Sequence, residues 1–208
     1  MMTPAPNQEF NLLASEDRIA RTVQGLESNG MQVFIFETGE EARACILSMI
    51  PSGVEVYNSV SRTLDLLGLA ADIETSARFQ PVRPRLRSLD RATQQREIRR
   101  LTASPDVLVG SVHAITEKGE VLVASAAGTQ LGAAAWGASS VIWVAGTQKL
   151  VRNLDEGFRR IREYSHPLED ARTREVYGQA SAINKVLIVN AEFPGRIKIV
   201  LIKQNLGF

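Results

Sequence analysis

Residues 121–148, VLVASAAGTQLGAAAWGASSVIWVAGTQ, form the uncharged stretch that decides the fold. Its length would suffice for a membrane span, but small and polar residues interrupt it. The interruptions are Gly128, Gly132, Gly137 and Gly146, with Thr129, Gln130, Ser139 and Ser140 between them. The stretch instead divides into a strand at Val121–Ala124, a short helix of small residues at about 128–136 and a second strand at Val141–Ala145. Buried βαβ units lose their charges because both faces of their sheet are covered, so we predict such a unit here and no membrane span.

Helix and strand patterns alternate through the rest of the chain. Helix N-caps are predicted at Ser15, Thr38 and Asn153, and the latter two carry Glu three residues later. This alternation predicts an α/β fold with a mostly parallel central sheet and helices on both faces. The strands Lys185–Asn190 and Arg196–Ile202 are expected to form an antiparallel pair near the C-terminus. Residues 1–14 are expected to be a disordered lead and residues 15–208 a single domain.

The helix after Asn153 has a clear apolar spacing. Leu154, Phe158 and Ile161 fall on one face. Arg160 and its two arginine neighbours are therefore expected to face outward.

Composition excludes several classes of site. The 208 residues include one cysteine, Cys45, and two histidines, and the net charge is +1. One cysteine cannot form an internal disulfide, a cysteine-ligated iron–sulfur cluster or a four-cysteine zinc site. We therefore predict no metal site and no cofactor held by ligands of this chain. Near-neutrality argues against nucleic-acid binding, and the absence of a secretion signal predicts a cytoplasmic location.

Residues 78–100 are the one charge-biased segment, with eight arginines against Asp90 and Glu97. Pro81 and Pro84 predict a loop at its start, and Asp90 can cap a helix that runs to Thr102. The segment is either a solvated linker and helix face or a surface that meets an anion or a protein partner.

Common catalytic and nucleotide motifs are absent from the sequence. It contains no G-x-G-x-x-G, no Walker phosphate loop, no G-x-S-x-G elbow and no H-E-x-x-H. Two loops that follow strands and lead into helices remain as candidates, 58–63 and 125–130. They offer hydroxyls, amides and a guanidinium, which are the donors that a carboxylate or phosphate needs. The candidate anion-binding residues are Asn58, Ser59, Ser61, Arg62 and Thr63 in the first loop and Ser125, Gly128 and Gln130 in the second. An ordinary capped loop would explain the first pattern equally well.

A third candidate segment runs from Gly110 to Glu117. On a continuous strand, Ser111, His113 and Glu117 would share one face and could line a cleft. His113 and Glu117 would then lie about 13 Å apart, too far to hydrogen-bond without a bend in the strand. Lys149 follows an apolar strand and precedes a helix, which suits a lysine that meets an anionic ligand. A surface lysine in a loop is the alternative.

These segments, in this order, resemble the LUD-domain family of the lactate utilisation protein C type, formerly catalogued as a domain of unknown function. The resemblance covers about Ser15 to Phe208. It is carried by Asn58–Leu64, Gly110–Glu117 with Gly119, Ala124-Ser125, Gly128-Thr129-Gln130, Gly146–Val151 and the closing stretch from Gly195 to Phe208. It implies the fold shared by ribose-5-phosphate isomerase, glucosamine-6-phosphate deaminase and CoA transferases, and it implies that loops 58–63 and 125–130 face one cleft. Glu117-Lys118-Gly119 is similar to the Glu-x-Gly of CoA transferases, whose Glu is a nucleophile, so fold analogy makes Glu117 the candidate catalytic residue.

The resemblance implies a protein that binds a small anionic metabolite and serves lactate-type organic-acid oxidation. Redox chemistry would then belong to separate iron–sulfur partner proteins. One alternative is a free-standing isomerase or CoA-transferase-like enzyme that uses Glu117, with Lys149 and the 61–63 residues on the anion and a CoA ester as candidate substrate. The other is a non-catalytic sensor or assembly module. Whether the chain forms oligomers stays open.

Overall fold

The computed structural model describes residues 4–208, which form eight α-helices and ten strands. The strands are β1 Gln32–Phe36, β2 Glu55–Asn58, β3 Gln80–Pro81, β4 Val107–Ser111, β5 Ala114–Thr116, β6 Val121–Ser125, β7 Ser140–Gly146, β8 Leu150–Val151, β9 Lys185–Val189 and β10 Ile197–Ile202. The helices are α1 Glu16–Ser28, α2 Gly39–Ser48, α3 Arg62–Leu66, α4 Leu69–Thr75, α5 Val82–Ser88, α6 Gln95–Ala103, α7 Leu154–Arg160 and α8 His166–Tyr177. Short 3₁₀ turns lie at Gln8–Asn11 and Thr147–Lys149, and π-helical turns at Ala133–Gly137 and Ile161–Ser165.

The central sheet has the order β1-β10-β7-β4-β2-β3, and every neighbouring pair in it is parallel. Alternate residues of β7 enter two different cores, with Val141 and Trp143 on one side and Ile142 and Val144 on the other. Helices α2, α3 and α4 cover the second side, while α1, α6 and the second sheet cover the first. The predicted α/β class with covered sheet faces is therefore confirmed.

The second sheet has the order β8-β5-β6-β9. An antiparallel hairpin of β5 and β6 forms its centre. The predicted antiparallel pairing of the last two strands is wrong. β9 pairs with β6 at the edge of this sheet, whereas β10 lies between β1 and β7 in the central sheet. All of β10 except Lys198 is buried, which suits a strand that is covered on both faces.

The uncharged stretch 121–148 is also divided between the two sheets. β6 belongs to the second sheet and β7 to the central one, so the predicted βαβ unit is wrong even though both strands are present. The predicted helix between them is reduced to the π-helical turn Ala133–Gly137 with two residues before it. A Cβ at Gly137 would lie only 1.6 Å from the Ala103 carbonyl oxygen, so this glycine lets the turn pack against the end of α6. Within residues 4–208, no helix is long and apolar enough to cross a membrane.

Part of the expected disordered lead forms a turn that packs against the rest of the protein. Residues 1–3 lie outside the described residues, but Gln8–Asn11 forms a 3₁₀ turn whose Phe10 is buried. The Asn7 N–H donates to the Glu163 carbonyl at 2.8 Å. The buried ring of Phe10 thus holds this segment against the protein, although the composition of the segment predicted disorder.

The arginine-rich segment is more structured and more neutral than its sequence indicates. Its expected opening loop is instead α5, because Pro84 lies in the first turn, where a proline costs no helical hydrogen bond. Asp90 accepts from the Ala92 N–H and the Thr93 hydroxyl, which caps a turn rather than α6. Four of its arginines form ion pairs, namely Arg83 and Arg87 with Glu74, Arg85 with Glu55, and Arg100 with Glu97.

Candidate functional site

A cleft of about 690 Å³ opens where the parallel strands β2 and β4 end. Its walls come from the segments after β2, β4 and β6, from one face of α8, and from residues 179–183. This is the edge at which open parallel sheets usually bind ligands.

Most of the predicted site residues lie in the walls of this cleft, and loops 58–63 and 125–130 face each other across it. Those that line it are Ser59, Ser61, Arg62, Ser111, His113, Ser125 and Gln130. Thr63 and Lys149 lie directly behind the wall and contact Ser111.

Lys149 is buried, with 1% of its surface exposed, so the surface-lysine alternative is wrong. Its Nζ lies 3.0 Å from the Thr63 hydroxyl, 3.0 Å from the Ser111 hydroxyl, 3.1 Å from the Val112 carbonyl and 3.2 Å from the main-chain oxygen of Phe208. The side chain turns inward because Thr147–Lys149 forms a 3₁₀ turn at the end of β7. Burial lowers the pKa of Lys149 well below its usual 10.5, and nearby Arg160 lowers it further.

Residues 206–208 close the floor of the site. The Thr63 hydroxyl donates to the Leu206 carbonyl at 3.1 Å, and the Gln148 amide donates to the same oxygen at 3.0 Å. Gly207 has a φ of +64°, and a Cβ there would lie 2.5 Å from the Thr63 hydroxyl. Sequence reasoning missed this floor, although a glycine next to the aromatic Phe208 was a signal that the segment packs closely.

Arg160 is fully buried, so the expectation that it faces outward is wrong. Gly157 lets α7 approach the second sheet, since a Cβ there would be 3.1 Å from the Leu122 side chain. The buried face of α7 therefore includes Gly157 and Arg160. The Arg160 guanidinium donates to the carbonyls of Gln148 and His113 and to the Ser165 hydroxyl. Its Nη2 has no hydrogen-bond partner among the described residues.

His113 is held neutral beside these two cations. Burial, then Lys149 and Arg160, lower the pKa of His113 to about 3. Its Nδ1 accepts the Ala124 N–H at 3.1 Å, which assigns the ring proton to Nε2. His113 lies between β4 and β5, which belong to different sheets, so it does not share a continuous strand face with Ser111.

Three predicted residues lie elsewhere. The Asn58 amide is buried and donates to the Glu74 carboxylate at 2.9 Å. Gly128 shapes its loop with a φ of +83° and donates its N–H to the Ser125 hydroxyl. Glu117 lies on the hairpin turn outside the set of cleft-lining residues and pairs with Arg18 at 3.1 Å and Arg21 at 2.8 Å.

The structure adds charged residues that sequence reasoning did not assign to the site. Arg91, His166, Glu169 and Arg172 line the cleft. Arg172 pairs with Glu169 at 2.7 Å. The side chains of Arg62 and Arg91, by contrast, form no ion pair or hydrogen bond with any residue in the described range 4–208. In that same range no three His, Cys, Asp or Glu side chains are grouped so that they could hold a metal ion.

Comparisons with known proteins agree with this architecture. The family model of the LUD domain matches residues 19–202. A crystal structure of a DUF162 family protein from Deinococcus radiodurans has a TM-score of 0.56 and 12% identity, and the match covers 92% of this chain and 99% of that chain. At that identity the likeness concerns the fold. No curated protein matches the chain. Because the family model spans most of the sequence, from α1 to the end of β10, the chain belongs to the LUD-domain family.

Proposed function

We propose that the cleft binds a small organic anion of the hydroxy-acid type, and that the protein thereby supports lactate-type organic-acid utilisation. The observation that carries the proposal is the pair of guanidinium groups on Arg62 and Arg91, which line the cleft without a partner among the described residues. A guanidinium binds a carboxylate through two parallel hydrogen bonds. Ser59, Ser61 and Gln130 supply donors and acceptors for a neighbouring hydroxyl.

The charge balance of the cleft favours an anion. Arg62, Arg91 and Arg172 line it against Asp65 and Glu169. Arg160 adds a buried positive charge behind the wall, since its pKa of about 10 keeps it protonated at neutral pH. In a cleft whose walls have a low dielectric constant, such a surplus raises the local concentration of anions.

Electron transfer would fall to separate iron–sulfur proteins. The chain has one cysteine, Cys45, which is half-buried on α2. Cysteine-ligated clusters need several thiolates, so this chain would bind or present the organic acid while a partner accepts the electrons. Family membership supports this division of work, and the cytoplasm remains the expected location.

Isothermal titration calorimetry with L-lactate, pyruvate, glycolate and phosphate tests the proposal. We expect saturable binding of a hydroxy acid, and a loss of at least about tenfold in affinity for Arg62→Gln or Arg91→Gln, because a hydrogen bond to a charged group is worth about 1.5–3 kcal/mol. Arg96→Gln is the matched control, since Arg96 is an exposed arginine of the same segment that does not line the cleft. Equal affinities for Arg62→Gln, Arg91→Gln and Arg96→Gln would contradict the proposal.

A further inference from the structure

Ser111 and Lys149 form a pair that anion binding does not require. We propose that Ser111 is a nucleophile, with the Lys149 amine as its base, for acyl transfer from an ester or thioester bound in the cleft. Ser111 Oγ lies 3.0 Å from Lys149 Nζ, within reach for proton transfer. The proposal uses the cleft of the proposed function but neither of its two arginines.

The position of Ser111 suits a nucleophile. It ends β4, lines the cleft and is half-buried, whereas Lys149 lies behind it and out of solvent. The other hydroxyl at the amine belongs to Thr63, which is buried and donates to Leu206. Ser111 is therefore the hydroxyl of this cluster that a ligand in the cleft can meet.

A neutral Lys149 amine has the lone pair that a base needs. A neutral lysine has two N–H donors and one lone pair. The oxygens of Val112 and Phe208 accept the two N–H groups, and Thr63 uses its proton on Leu206. In the structure the Ser111 hydroxyl donates to the Thr63 hydroxyl at 3.1 Å and accepts from Lys149 Nζ at 3.0 Å, and rotation about its C–O bond turns the proton towards the lone pair of a neutral amine.

Burial and one neighbouring charge favour the neutral amine. Arg160 is the charged side chain that acts on Lys149, and no Asp or Glu side chain of the described residues hydrogen-bonds its Nζ. The other titratable side chain beside it is His113, and the Phe208 oxygen at 3.2 Å belongs to the last residue of the sequence. Burial and the positive charge of Arg160 both disfavour an ammonium, and His113 is neutral with a pKa of about 3. A base poised in this way can accept the serine proton at neutral to mildly alkaline pH.

Donors for a developing oxyanion lie in the adjacent loop. The main-chain N–H groups of Val60 and Ser61 donate to no oxygen within residues 4–208, and both residues line the cleft. Their loop lies against β4, since a Cβ at Gly110 would be 2.8 Å from the Ser59 hydroxyl. Preorganised N–H groups of this kind stabilise the tetrahedral intermediate of acyl transfer.

The reaction balances with water as the only co-reactant. Ser111 Oγ bonds to the acyl carbon while its proton passes to Lys149 Nζ. The C–O or C–S bond then breaks, and the leaving alcohol or thiol takes the proton from Nζ. Water attacks the acyl-serine, and its proton returns through Nζ to Ser111 Oγ. The products are the alcohol or thiol and a carboxylic acid, which releases its proton to solvent and becomes a carboxylate, the class of anion proposed to bind in this cleft.

A fluorophosphonate probe with peptide mapping by mass spectrometry tests the pair on the wild-type protein. The serine oxygen displaces fluoride from phosphorus, so labelling needs no anionic substrate. We expect one label, on Ser111, and a labelling rate that rises with pH as Lys149 loses its proton. Ser111→Ala should lose the label, and Lys149→Met should slow labelling by at least about 100-fold. Ser88→Ala, at an exposed serine outside the cleft, should label like the wild type.

Absence of a label on wild-type Ser111 up to pH 9 would overturn the nucleophile, and so would wild-type labelling rates in a folded Lys149→Met protein. The mapping on the wild type keeps the test decisive if Lys149→Met fails to fold. Calorimetry with lactate is read separately. If lactate binds but Ser111 is not labelled, the nucleophile proposal fails and the proposed function stands. If Ser111 is labelled but lactate does not bind, the proposed function fails and the nucleophile proposal stands.

Discussion

Replacing Lys149 by methionine should remove a pH dependence of stability that the buried amine imposes. In the folded protein the amine is surrounded by oxygens of Thr63, Ser111, Val112 and Phe208, and burial holds its pKa well below 10.5. In the unfolded chain its pKa is about 10.4. Between these two values the unfolded chain binds a proton that the folded protein does not. The free energy of unfolding therefore rises with pH by about 1.4 kcal/mol per unit, and this contribution is lost as the pH falls towards the folded pKa.

Urea unfolding at pH 8.5 and 9.5 measures this slope, with the fluorescence of buried Trp143 as the signal. Over that unit, the wild type should gain more stability than Lys149→Met, by up to about 1.4 kcal/mol. Lys118→Met is the control, because Lys118 is exposed on the hairpin turn and should keep the wild-type slope. Equal pH dependence in the wild type and Lys149→Met would refute the reasoning, since the amine would then keep its proton in the fold.

Three further substitutions probe the floor, the buried arginine and the hairpin. Gly207→Ala should lower the free energy of unfolding in urea by at least about 2 kcal/mol, because Gly207 has a φ of +64° and its new Cβ would lie 2.5 Å from a hydroxyl. Gly178→Ala should lower it by about 1 kcal/mol, because Gly178 has a φ of +66° but faces open space. Equal losses in the two variants would contradict the crowding at Gly207. Arg160→Met should lower the free energy of unfolding by about 3 kcal/mol, because two buried acceptors and one partly buried acceptor lose their donor. Arg162→Met, at an exposed arginine, should lower it by less than about 0.5 kcal/mol. Glu117→Gln should leave the lactate affinity measured by calorimetry unchanged, because Glu117 does not line the cleft. A tenfold loss of affinity would show that the Glu117 carboxylate takes part in binding.

The features that the sequence predicted well depend on local patterns. The β7 residues Val141–Ala145 carry no charge because both of their faces are covered, and that requirement is visible in the sequence itself. Thr38 and Asn153 cap their helices as expected, since a cap involves only residues three positions apart. The two loops that face the cleft follow from the general position of ligands at parallel strand ends.

The features that the sequence did not predict depend on contacts between distant segments. Lys149 is surrounded by oxygens of residues 63, 111, 112 and 208. These residues are far apart in the sequence, so no local pattern predicts that they meet at Lys149. Arg160 turns inward because Gly157 lets the helix approach the second sheet, so the apolar spacing alone gave the wrong face. Arg91 lines the cleft because the turn that contains it is capped by Asp90. The sequence around Arg91 indicates only that the segment is rich in charge.

The binding of a small organic anion in the cleft is tested most directly by a crystal structure of the protein grown at saturating L-lactate. We predict that the lactate carboxylate lies within hydrogen-bond distance of the Arg62 or Arg91 guanidinium, between loops 58–63 and 125–130. An empty cleft at that concentration, or lactate bound only at another place on the protein, would contradict the proposed function.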